Sequence, residues 1–150
     1  GSTDLFPCMH PAFSDGASAS ASWLYVERAY APGVVRRSNS SPPCPTGIPC
    51  FVPNSAVTRG QTAKFVANAA NYADPIPPTQ QTFGDVPSSN PFWLYVERSY
   101  LHGVISGYSS VPPCAVAPCF LPANAVTRGQ TAKFIANAFF PACQTPQARR

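Results

Sequence analysis

The chain is one unit written twice. Trp23-Leu24-Tyr25-Val26-Glu27-Arg28 recurs unchanged as Trp93-Leu94-Tyr95-Val96-Glu97-Arg98, and the ten residues from Ala56 to Phe65 recur from Ala125 to Phe134. Self-similarity on this scale marks a tandem array, in which each copy forms the same local structure and cannot bury its apolar face alone. The register is 70 residues early in the copies and 69 late, and the lost residue falls in a loop, where CPTGIPC from Cys44 becomes CAVAPC from Cys114. Phe13 and Asp15 match Phe83 and Asp85, so the copies run over residues 13–70 and 83–140. A short segment, residues 1–12, precedes them, a Pro-bearing polar linker, 71–82, joins them, and a tail, 141–150, follows.

Each copy reads as helix, long loop, helix. In the second, Asn90 is a good N-cap with Pro91 at the first helical position; Trp93, Val96 and Tyr100 then follow at helical spacing until Gly103. The first copy repeats the stripe with Trp23, Val26 and Tyr30, capped by a serine of SASAS and stopped by Pro32-Gly33. The second helices open on capping boxes, Thr58 with Gln61 and Thr127 with Gln130. Helices this short are marginal alone, so Ala63, Val66, Ala70 and their counterparts are expected to pack against the first helix of the copy. The fold class expected is mainly α, two tandem helix–long loop–helix repeats with disulfide-tied loops and little strand.

The loops, about 31–57 and 102–126, exceed the roughly 15 residues an unsupported loop spans in a compact domain. Cysteine supplies the tie. Cys44 with Cys50 and Cys114 with Cys119 are spaced to close small rings, and by elimination Cys8 pairs with Cys143 to join the two ends. No C-x2-C pair exists and the histidines are His10 and His102, which speaks against a zinc site. Oxidised cysteines imply an extracellular or cell-surface location, with a leader expected to have been removed ahead of Gly1. No apolar run approaches the roughly 18 residues that cross a bilayer, so membrane insertion is not expected.

Composition narrows the function. Charged residues make up 11% against 45% hydrophobic, and the net charge of +4 is spread along the chain without the dense stripe that phosphate backbones require. Nucleic acid is therefore excluded as a partner. Nineteen prolines stiffen the loops and follow no collagen-like period. No Ser-His-Asp order, Gly-rich phosphate loop or repeated carboxylate pair is present, so neither an enzyme nor a cofactor site is expected.

The second copy resembles the S-layer homology repeats of bacterial surface proteins: Phe83-x-Asp85-Val86, Trp93-x-Tyr95-Val96, Gly103-Val104-Ile105-Ser106-Gly107-Tyr108, Phe120-x-Pro122 and Val126-Thr127-Arg128, in that order. The first copy keeps Phe13-x-Asp15, Trp23, Tyr25, Gly33-Val34, Phe51-x-Pro53 and Val57-Thr58-Arg59, with Arg36-Arg37-Ser38 where Ser106-Gly107-Tyr108 would be. The resemblance implies a helical module holding surface proteins noncovalently to cell-wall glycopolymers, usually as three repeats about a pseudo-threefold axis. It also implies that Arg59, Arg128, Trp23 and Trp93 contribute to grooves for an anionic, pyruvate-bearing sugar. The sequence departs from the family in having Gly60-Gln61 and Gly129-Gln130 where Ala-Glu is usual, and a cysteine loop in place of a short Gly/Asp turn.

Each candidate residue has a plainer reading. An arginine at the first helical position opposes the helix dipole; it can hold an anion with the open amides or bond loop carbonyls as structure. Trp23 and Trp93 share a stripe with Val and Tyr, which favours core packing. Glu27 and Glu97 read as surface or interhelical partners of Arg28 and Arg98, His102 as a cap for helix-end carbonyls, and Asp15 and Asp85 as stabilisers of the turn before the first helix. Two functions of different class follow. One is an anchor to a cell-wall polysaccharide. The other is a structural homo-oligomer, building a surface layer or filament through repeat–repeat packing.

Overall fold

A computed structural model describes residues 48–140 continuously and, ahead of them, residues 13, 15, 23–30, 32–38 and 44; of Trp23 and Leu24 it describes the backbone. The expected Cys8–Cys143 bridge lies outside the described residues. Among these residues four helices form: α1 (Trp23–Tyr30), α2 (Arg59–Ala69), α3 (Trp93–Leu101) and α4 (Arg128–Phe139). Among the described residues there is no strand, and pairing is confined to the isolated bridges Ser38 with Cys50, Thr58 with Ala125 and Tyr108 with Cys119. The molecule is mainly α, with disulfides Cys44–Cys50 and Cys114–Cys119 in the loops.

Packing breaks the chain out of phase with the repeat. One compact unit spans Gly1–Ser55 and the other Ala56–Arg150, so α2, written in the first copy, folds in the unit of the second.

In the first unit, Gly33 at φ +78 ends α1, its N–H reaching the Tyr30 carbonyl at 2.9 Å. Phe13 is buried and meets the rings of Tyr30 and Phe51 edge-on at 5.1 and 5.2 Å. Beside it the Asp15 carboxylate accepts from the backbone N–H groups of Phe51 and Val52, at 2.8 and 2.7 Å. Val52 sits at φ +59, a conformation that a β-branched residue rarely adopts, and the two charge-assisted bonds hold it there.

The second unit repeats this latch. Phe83 packs on Tyr100 and Phe120, and Asp85 accepts from Phe120 and Leu121 at 2.8 and 2.7 Å, with Leu121 at φ +57. Asp15 and Asp85 thus do not serve the turn before the first helix, as local sequence suggests; their partners lie 35 to 37 residues on. Gly107 is required here because a Cβ would run into the Phe83 ring and the Cys119 carbonyl. The α3 start also differs from expectation. Asn90 does cap, its Oδ1 accepting from Phe92 at 2.9 Å, but Trp93 N–H bonds back to the Asn90 carbonyl three residues away, so the first turn is tight and α-helix proper begins at Trp93.

The core of this unit gathers Ala63 and Val66 of α2, Val96 of α3, Phe134 of α4, and Phe83, Val86, Val104, Ile105 and Phe120. Ala63 and Val66, expected against the first helix of their own copy, lie with α3 of the other. Each fully buried Val or Phe of this cluster contributes about 1.5–3 kcal/mol by leaving water, which is what holds helices of 9–12 residues.

Candidate binding site at the second-helix starts

Both second helices begin alike. Thr58 Oγ1 accepts from Gln61 N–H at 3.2 Å while Gln61 Oε1 accepts from Thr58 N–H at 2.9 Å, and Thr127 with Gln130 closes the same box at 3.2 and 3.1 Å. The third amide of each helix is thereby satisfied from within.

The next residues part company. Around α2, the Arg59 N–H bonds the Asn124 carbonyl at 2.8 Å and the Gly60 N–H bonds that of Pro122 at 2.9 Å. The Arg59 side chain, 4% exposed, turns inward: Nε donates to the Phe120 carbonyl at 2.7 Å and Nη2 to that of Ser106 at 3.3 Å. Its guanidinium lies over the rings of Phe120, Tyr108 and Phe134, 4.6, 4.9 and 5.8 Å from their centroids. Burial pushes its pKa down, opposed by Tyr108 and Asp85, yet a guanidinium stays charged in a protein. Gly60 is buried against Phe92, whose ring a Cβ would meet at 2.5 Å. Lys64 stands 5.2 Å over the Tyr95 ring.

At α4, Arg128, Gly129, Ala132 and Lys133 are exposed. Among the described residues no acceptor meets the N–H groups of Arg128 or Gly129. Open helix-start amides beside a cation favour negative charge, and together they could hold an anion.

Of the four residues the sequence nominates, the structure therefore turns Arg59 into the protein, leaves Arg128 at the surface and half-buries Trp93 against the core. The Trp93 indole Nε1–H donates to the Gln80 carbonyl at 2.9 Å. The Trp23 side chain lies outside the described residues.

The linker turns out to be part of the fold. Asn71 at φ +55 closes α2 with Tyr72 N–H on the Ala67 carbonyl at 3.0 Å, which swings the chain back along α3. Tyr72 then stacks on His102 with ring centroids 3.8 Å apart, and His102 Nε2 meets Asp74 Oδ2 at 2.7 Å. Arg98 Nε donates to the Asp74 carbonyl. The hydrogen bond from His102 lowers the Asp74 pKa, with Arg98 aiding, while burial raises that of Tyr72. The His102 side chain therefore binds the linker, while its backbone N–H, at the C-cap of α3, bonds the Arg98 carbonyl at 3.1 Å.

Glu97, read from sequence as a surface or interhelical residue, is fully buried and accepts from Thr82 N–H, Thr82 Oγ1 and Gln80 Nε2 at 2.8, 2.7 and 3.0 Å. Three donors from one segment let a carboxylate leave water. Its position four residues after Trp93, on the apolar stripe, was the available sign that it faces inward. The carbonyl host of Arg59 left no such trace, because carbonyls are common to every residue.

Residues 82–132 match the family model of the S-layer homology domain. The match runs from the Asp85 latch through α3 and the cysteine loop into the first turn of α4, and it supports an S-layer homology domain over that segment. No curated protein matches the chain significantly. None of the described helices is long and apolar enough to cross a membrane.

Proposed function

We propose that the chain is a non-catalytic cell-surface module of S-layer homology type that attaches noncovalently to a cell-wall glycopolymer. The family match over residues 82–132 carries this reading, since such domains bind cell-wall polymers generally. Anionic sugar would meet the exposed start of α4, where Arg128 and two open amides converge, and the aromatic surfaces of Trp93 and Trp23 would flank grooves of the same kind. Arg59 has both its side-chain hydrogen bonds directed to carbonyls, so its share in such a groove would be to shape the wall. The test is retention of the full chain on purified cell-wall polysaccharide. Retention should fall with salt and in Arg128→Gln; unchanged retention in that variant would remove Arg128 from the contact, and no retention at all would overturn the reading.

A second reading, a structural subunit assembling through repeat–repeat contacts, is favoured by one observation. The face that α2 buries in the core is the face that α4 exposes. Light scattering and electron microscopy across a wide concentration range test it, with growth expected and a strictly monomeric particle against it.

A further inference from the structure

We propose that α4 of one chain docks on the first-copy loop and α1 of a second chain, as α2 docks on the second-copy loop and α3 within one chain. The inference deepens the self-assembly reading and rests on it. Its ground is a set of paired groups, satisfied once and, among the described residues, open once. Within the chain, Arg59 and Gly60 send backbone N–H to Asn124 and Pro122, Arg59 sends its side chain to Phe120 and Ser106, and Lys64 covers Tyr95.

The repeat maps the donors onto Arg128, Gly129 and Lys133, all exposed, and Val66, 5% exposed, onto Ile135, 43% exposed. It maps the acceptors onto the carbonyls of Ser55, Pro53, Phe51 and Arg36, and Tyr95 onto Tyr25, which is 70% exposed. A Cβ on Gly129 would meet nothing nearer than Thr127 Oγ1 at 3.9 Å, where Gly60 is pressed on a ring, so the small residue that permits close approach is present and unused. An identical plug and a homologous seat, on opposite copies, give a heterologous contact that propagates head to tail.

The seat differs in several side chains: Arg36 stands where Ser106 does, and Ser22 where the Phe92 that covers Gly60 does. Arg37 stands where Gly107 does, its guanidinium 4.8 Å over the Tyr30 ring, and Ser38 replaces the Tyr108 that stacks on Arg59. Two aromatic faces fewer and two cations more make this contact weaker than the internal one, hence reversible and concentration-dependent.

The experiment uses the full chain in two variants, Arg128→Glu with a spoiled plug and Tyr25→Ala with a spoiled seat, both at exposed sites, with helical content checked by circular dichroism. Sedimentation velocity should show each variant weakened at least about tenfold in self-association. An equimolar mixture should give a discrete heterodimer, because one good plug then meets one good seat and neither remaining end can extend. Arg37→Gly with Ser38→Tyr should tighten association. Assembly that survives both spoiled variants overturns the docking while leaving self-assembly intact. A chain monomeric at every concentration overturns both, and if Arg128→Glu then loses retention on cell-wall polymer, the face belongs to the polymer.

Discussion

Ala56–Phe65 and Ala125–Phe134 are the same ten residues, and they fold into the same capped helix start, yet one is sunk in a core and the other lies open. In α2, Arg59, Gly60, Thr62, Ala63, Val66 and Ala67 are buried; in α4 Phe134 alone is. Local sequence therefore decides that a helix forms and where it starts. What the helix buries is decided by the neighbour it finds. The second copy offers α2 a seat of carbonyls and rings; among the described residues nothing offers the like to α4.

Four substitutions or conditions press on this contrast. The largest difference is expected at the arginines. Arg59→Ala strands the Phe120 carbonyl in a buried aromatic pocket and should cost about 3 kcal/mol in denaturant unfolding, whereas Arg128→Ala should stay within about 0.5 kcal/mol. Equal costs would mean the two helices are equally docked. The glycines should differ in sign: Gly60→Ala drives a methyl into the Phe92 ring and should destabilise by about 1–2 kcal/mol, while Gly129→Ala, whose methyl makes only ordinary contact with Thr127, should gain roughly a few tenths of a kcal/mol from helix propensity. The threonine caps sharpen the comparison from the other side, because both boxes close within their own helix. Thr58→Ala and Thr127→Ala should each cost about 1 kcal/mol, and a marked inequality would show that the cap too depends on the neighbour.

The smallest effect is one of pH. Asp74 is held below the usual carboxylate range by His102, so the clamp on the linker after α2 contributes stability above the unfolded Asp value of about 3.9 and loses it as pH falls through the lower folded value. Acid strong enough to protonate Asp74, below that usual value, should loosen Tyr72 from His102 in NMR ring-current shifts. The Asp15 latch titrates with the same sign: desolvation raises its pKa, but the Phe51 and Val52 amides more than offset this and hold it low.

The repeat exposed much of the fold. Capping boxes, the stop glycines Gly33 and Gly103, and the small cysteine rings depend on residues within a few positions of one another, and periodicity and turn chemistry reach that far. The latch, the arginine seat and the buried Glu97 depend on partners 15–61 residues away, mostly backbone groups that carry no residue-specific mark. The swap of α2 into the company of α3 was likewise invisible, since identical helices in two copies give the sequence no means of saying which copy each will join. Of the nominated site, Arg59 and Arg128 are indistinguishable in sequence and opposite in place.

That opposition is most directly measured by native-state hydrogen exchange at single-residue resolution in dilute, monomeric protein. The amides of Arg59 and Gly60, bonded to Asn124 and Pro122, should exchange on the order of a hundredfold more slowly than those of Arg128 and Gly129, with the Gln61 and Gln130 amides closer together. Equal protection of the two helix starts under those conditions would contradict the claim that the same segment is docked once and open once.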